Sequence, residues 1–358
     1  MTIFYIGQHL THPDHGPCTV TFVGSDYVGV ETDGGGNALI RKQTFLEAPA
    51  AGEQAVGPVG RPLSWPESTF VHESAETQHY PGSHWEAFFD NPKLIVERLP
   101  EVLQKADPWV GGSNRKSSRP MPDRWTKGVA LAWPNHRQGL MVILRIDEEN
   151  KETSVSSFFP FVSDGGQYNI VIRHINVWEN GVEAQIEAEF GEATITFFDI
   201  SFTKNRLWYE AGKCYQFILT GIAYAAKPAE VMELPFTPNP DQVAWERKLA
   251  EQRGEGPPTR PTKISLRGMA MMMPVEEWDI DDYRFRGPVK SVKNVEGDVL
   301  GQTGWFIKVT VMRFGDADAD IDMLVTRRAW QSDSPPAVGQ DVEGSFWLQG
   351  YLTYPPVW

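Results

Sequence analysis

The chain has 358 residues, 41% of them hydrophobic, and a formal net charge of −14 at pH 7. That apolar share excludes a disordered chain, and the length gives room for two or three domains, each with its own core. The acidic balance repels a phosphate backbone at long range and argues against a general DNA coat, and no apolar run approaches the ~20 residues that span a bilayer.

Residues 1–48 read as a small β module. Val20-Thr-Phe-Val23 and Tyr27-Val-Gly-Val30 have strand character, Asp33-Gly-Gly-Gly-Asn37 supplies a hairpin turn, and Leu39-Ile40 follows it. At Gly7, His12-Pro13, Gly16, Val20, Val28-x-Val30 and Leu39-Ile40 the stretch resembles the Tudor-like, SH3-like small barrels at the end of some DNA helicases and in bacterial RNA-polymerase-binding regulators. It departs from them at Pro17-Cys18, where that family often has a second glycine. The resemblance implies a module that binds protein or nucleic acid and is not catalytic. His9, His12, His15 and Cys18 are zinc-ligand types, but a turn at Pro13 to Gly16 separates them, and positions three apart on a strand face opposite sides; the spacing predicts a turn and no metal.

Residues 49–127 read as a linker with a helical segment and a basic loop. Ser83-His-Trp-Glu86 has the form of a capping box, Asn91-Pro92 offers a second helix start, and Leu94, Ile95, Leu99, Val102 and Leu103 recur at helical spacing around Pro100. The loop that follows carries Arg115, Lys116, Arg119, Arg124 and Lys127, with Trp109 and Trp125 beside it. That combination can hold phosphate or single-stranded RNA, although a solvated loop is the plainer reading.

From 128 onward the chain is strand-like and partly written twice. Tyr168-Asn-Ile-Val-Ile-Arg-His-Ile-Asn-Val177, an alternating Val182 to Phe190, Ala193 to Phe198 and Gly212 to Tyr224 return as Tyr283 to Val295, Gly304 to Phe314, Ile321 to Val325 and Gly339 to Leu352. Leu219-Thr-Gly221 matches Leu348-Gln-Gly350, which predicts equivalent places for the two glycines. The strand count, glycine placement and length of each copy resemble OB-type barrels, and a small sandwich fits the composition as well. The fold expected is mainly β: an SH3/Tudor-like barrel followed by two tandem OB-like barrels, at 128–226 and 263–358, with a few short helices. Between them, 227–262 reads as a connector whose helix is capped by Asn239, opens on Pro240 and stops at Gly254.

The repeats also supply the expected binding surface. In 345–352 the alternation places Phe346, Leu348 and Gly350 on the inner face and Trp347 and Tyr351 outward, either as a hot-spot pair or covered by neighbouring chain such as Met269 to Met273 or the tail Pro355 to Trp358. Trp178, Trp208 and Trp305 are further candidates. Asp316, Asp318, Asp320 and Asp322 alternate, and a hairpin loop over 315–320 avoids stacking four like charges on one strand face. No nucleophile elbow, phosphate loop, dinucleotide fingerprint or His-Glu-x-x-His occurs. Two widely spaced cysteines and the lack of a secretory signal fit a reducing cytoplasm. The sequence therefore predicts a non-catalytic cytoplasmic binding or scaffold protein without cofactor, metal or membrane. Its expected partner is a protein, with single-stranded DNA or RNA as the alternative.

Overall fold

The structure is a computed structural model. It describes residues 9–12, 16–23, 27–32, 37–41, 69–71, 79, 82–111, 125–237, 239–256, 263–295 and 300–354. The basic-loop candidates Arg115, Lys116, Arg119 and Arg124 lie outside them, as does His15. The chain is mainly β and divides into two units, Met1–Trp65 and Pro66–Trp358. No helix among the described residues is long and apolar enough to cross a membrane.

In the first unit β1 (His9–His12), β2 (Gly16–Val23), β3 (Tyr27–Thr32) and β4 (Asn37–Arg41) form one antiparallel sheet in chain order. β1 and β2 flank the predicted turn at 13–15.

The second unit opens with β5 (Phe70–Val71) and a 3-10 turn at Ser83–Trp85. The capping box expected there does not form, because Ser83 lies within that turn and no side chain caps it. Helix α1 (Leu94–Lys105) runs through Pro100, burying Ile95 and Val102 on one face. Next come β6 (Asp107–Pro108), β7 (Lys127–Pro134), β8 (Gln138–Asp147) and β9 (Glu152–Val162), a four-stranded antiparallel sheet of their own.

The repeated part follows as β10 (Gly166–Val177), β11 (Ala184–Phe190), β12 (Ala193–Asp199), the short α2 (Phe202–Asn205) and β13 (Cys214–Pro228). The connector holds β14 (Glu233–Pro235), α3 (Pro240–Arg253) and β15 (Lys263–Ser265), with Gly254 at φ +69° ending α3 as predicted. Then β16 (Met271–Pro274) leads to the second copy: β17 (Asp282–Asn294), β18 (Gly304–Phe314), β19 (Ala317–Thr326) and β20 (Asp341–Tyr354).

The two copies join in one ten-stranded sheet. β13 and β20 have 15 and 14 residues, long enough for two sets of partners each. The first half of β13 pairs with β10, and its middle runs parallel to β19 of the other copy. β20 pairs in the same way with β17 and, in parallel, with β12. β13 and β20 are antiparallel to each other along most of their length. Two closed rings of pairing result, β10-β11-β12-β20-β13 and β17-β18-β19-β13-β20, with β13 and β20 common to both. The matches Leu219↔Gly350, Thr220↔Gln349 and Gly221↔Leu348 put the two glycines in equivalent places about a pseudo-two-fold axis at Thr220 and Gln349.

Sharing these strands buries both of their faces. Phe346 and Leu348 are buried, but so are Trp347 and Gln349. Gln349 Nε2 donates to Pro160 O at 2.8 Å, and Val162 N donates to Gln349 Oε1 at 3.2 Å, so β9 covers the face expected to meet solvent. The outward projection predicted for Trp347 is therefore corrected: it belongs to a core shared with Trp85, Ile95, Phe159, Phe161 and Phe198. β11 shows the same effect: Ala184, Ile186 and Ala188 are buried on one face, Gln185 is buried on the other, and only Glu189 is fully exposed.

Candidate functional site: a basic groove and a buried histidine–carboxylate cluster

The residues that alternation turns outward on β17 and β18 meet across the sheet. Lys293 pairs with Phe306, Ser291 with Lys308, and Lys308 with Asp322 of β19. A bulge between Val289 and Ser291 adds Lys290 to that side. Asn135 Oδ1 accepts from the backbone N–H of Arg137 and Gln138 at 2.8 and 3.1 Å, and so holds the β7–β8 turn that delivers Arg137. Together with Asp164 these residues line an open groove of about 1110 Å³ that carries Arg137, Lys290, Lys293 and Lys308 against Asp164 and Asp322.

Arg137 pairs with Asp164 at 2.5 Å, Lys290 with Asp318 at 2.6 Å and Lys308 with Asp322 at 3.5 Å. Lys293 is exposed, with no carboxylate at ion-pair distance among the described residues. Burial pushes the Asp322 carboxyl up, against the pull of Lys308. Phe306 is half-buried at the groove wall. The hairpin loop expected over 315–320 is shorter: β19 already begins at Ala317, and its aspartates are tolerated because Lys290 and Arg313 meet Asp318, Thr310 Oγ1 donates to Asp320, and Lys308 meets Asp322.

Of the residues singled out in the sequence, Trp178 and Trp347 come together, both against His79 with ring centroids 4.6 and 5.1 Å away, but in the core and not on a surface. Trp347, Trp178 and Trp305 are core, at 0%, 2% and 5% exposure. Trp208 and Tyr351 are half-buried, and the Tyr351 hydroxyl donates to Ser163 O at 3.1 Å. Lys127 is paired with Glu148 at the start of β7.

A second constellation lies where the segment before α1 meets the loop ahead of β17. His79 and His84 sit with ring centroids 5.0 Å apart. Trp178 stacks on His79 at 4.6 Å, and Trp347 on His84 at 4.0 Å. His79 Nδ1 is 2.5 Å from Glu183 Oε1, and Asn180 Nδ2 donates to the same carboxylate. Trp347 Nε1 donates to Asp281 Oδ2 at 3.0 Å, and the Tyr224 hydroxyl donates to Asp282 Oδ1. His84 Nε2 lies 3.6 Å from Asp279 Oδ2 and 4.0 Å from Asp282 Oδ1.

Burial raises the pKa of Asp279 and Asp281, the latter also through repulsion by Asp282 and Asp279, and it pushes Asp282 up to about 7. The same burial, with His79 adding to it, holds His84 well below the usual imidazole range. These are groups able to exchange a proton near neutral pH or to receive a cation. Sequence reasoning missed them because His84 and Asp279 are far apart in the chain; the one local signal was the acidic run 279–282 closing an apolar β segment.

Compared with family models, curated proteins and solved structures, the chain matches none.

Proposed function

We propose that the chain is a cytoplasmic, non-catalytic binding protein whose ligand is single-stranded nucleic acid, held in the groove between β8, β17, β18 and β19. The observation that carries this reading is the concentration of Arg137, Lys290, Lys293 and Lys308 in one open groove of a protein with net charge −14. The groove is open along its length, a shape that suits an extended ligand. Phe306 offers a ring for a base to stack on, and the cations suit the backbone phosphates. The OB-like reading of the repeats is supported by the cyclic pairing of five strands, with α2 placed before the closing strand of the first copy. The Tudor-like reading of the first unit rests on its four-stranded antiparallel meander.

Fluorescence anisotropy with labelled DNA and RNA oligonucleotides of ten to fifteen nucleotides, at low salt, tests the proposal. Lys293→Glu and Lys308→Gln together should weaken binding more than about tenfold with the fold intact, since Lys293 is exposed and Lys308→Gln gives up only a partly exposed ion pair with Asp322. Absence of binding by the unaltered protein at micromolar concentration rejects it. A protein partner is the second reading, favoured by exposed Met273, Trp278 and Ile280 in one short segment. It predicts that Trp278→Ala lowers partner affinity while the groove variant leaves it unchanged.

A further inference from the structure

We propose that His84, Asp279 and Asp282 form a binding site for one divalent first-row transition-metal ion, of the Mn²⁺ or Zn²⁺ class. This site is independent of the groove.

Asp279, Asp281 and Asp282 fall within four residues of chain, and Asp281 and Asp282 are 1% and 3% exposed. Among the described residues no lysine or arginine lies within ion-pair distance of any of them; His84 is the basic side chain at that distance, with His79 behind it. Buried carboxylates of like charge repel and lose their hydration, so they are ordinarily paired or bound to a metal. His84 supplies the second, independent observation. Its side chain is 8% exposed and its Nε2 makes no hydrogen bond, although it points at two carboxylates. A buried ring nitrogen without a partner is costly, and a metal ion satisfies it with the lone pair.

The spacing fits one ion. Ligand atoms each ~2.1 Å from a metal stand at most about 4.2 Å apart. The two His84–carboxylate distances, 3.6 and 4.0 Å, lie inside that limit. All three candidate atoms fall within 4.8 Å of one another, so small side-chain rotations bring them onto a common centre. The surroundings fix the ligands: Trp347 stacks on the His84 ring, and the Tyr224 hydroxyl holds the Asp282 carboxylate. Asp279 has a 31% exposed side chain, which leaves a route for the ion to enter and a position for water. One imidazole disfavours Mg²⁺ and Ca²⁺, which prefer all-oxygen shells, and two carboxylates disfavour Cu(I).

Mn²⁺ is the first probe, because thiolates such as Cys214 are poor ligands for it. The full-length chain, stripped with a chelator, is titrated with Mn²⁺ while the electron paramagnetic resonance signal of the free ion is followed. A parallel Zn²⁺ titration competes against a chromophoric chelator. The expected result is one equivalent of ion per chain, with affinity reduced more than about 100-fold in both Asp279→Asn and His84→Gln, since even neighbours of ligands typically contribute 10–100-fold. Asp279→Asn removes the most exposed ligand and one of three repelling charges, so its metal-free form should melt no lower than the unaltered chain; it decides the matter alone if His84→Gln fails to fold. No stoichiometric binding of either ion, or undiminished affinity in Asp279→Asn, overturns the site.

Discussion

Asp199 shows what a single buried acid does to this molecule. It is 2% exposed, accepts a hydrogen bond from the Tyr209 hydroxyl at 2.5 Å and another from Ser201 N at 2.9 Å, and among the described residues has no cation at ion-pair distance. Burial outweighs those donors and pushes its carboxyl up to about 7. The folded state thus favours the neutral acid, while the unfolded chain ionises near pH 4. Its contribution to stability is complete below about pH 4, declines as pH rises toward 7, and is lost above that. Asp199→Asn should remove this dependence. Denaturant midpoints of the variant and the unaltered chain should therefore draw apart in the variant's favour between about pH 4 and 7, and a difference that stays constant across that range contradicts the assignment. Trp347 makes the complementary point about packing. With its ring among Phe159, Phe198 and His84 and its N–H bound to Asp281, Trp347→Ala should cost about 3–5 kcal/mol of stability. A melting temperature unchanged by that substitution would place the residue on a surface after all.

The element that organises the fold is the β13·β20 pair, and its glycines report on how tightly the rings close. A Cβ at Gly221 would stand 2.7 Å from the Phe346 ring and 3.0 Å from Met323 Cγ; one at Gly350 would stand 2.7 Å from the Phe197 ring and 2.9 Å from Leu219 Cδ2. Gly221→Ala and Gly350→Ala should each cost ~1–3 kcal/mol, and by similar amounts because the two places are equivalent. Chemical denaturation checks both, and a neutral effect at one glycine only would break the pseudo-symmetry. These glycines, the four repeated strands and α3 were legible in the sequence, because period-2 alternation, cap residues and matching Leu-x-Gly ends are local signals. Partners were not. Alternation on β20 tells which side chains share a face, yet gives no sign that β9 is the element that covers the outward one. The capping box at Ser83 misled for a related reason: the turn there is too short to need the cap. The groove and the histidine–carboxylate cluster were illegible because each gathers residues from distant elements: Arg137 of the β7–β8 turn with Lys293 of β17, and His84 of the turn before α1 with Asp279 ahead of β17.

At the scale of the whole molecule, residues 66–358 behave in this account as one cooperative body, since neither ring closes without a strand from the other copy. A fragment spanning 263–358 lacks β13 and should fail to give a dispersed amide spectrum, whereas an independently folded fragment would contradict the shared pairing. The charge of the molecule is likewise unevenly spread: a chain at −14 has a groove lined by four cations against two carboxylates, Asp164 and Asp322. The binding reading depends on that unevenness, and salt tests it most directly. Neutralising about three phosphates of a single strand releases counterions, so the logarithm of the association constant for an oligothymidylate should fall linearly with the logarithm of salt concentration, with a slope near about −2, and Lys293→Glu should flatten that slope by roughly one. Binding that is absent at low salt, or whose affinity does not change with salt, would contradict the groove as a nucleic-acid site.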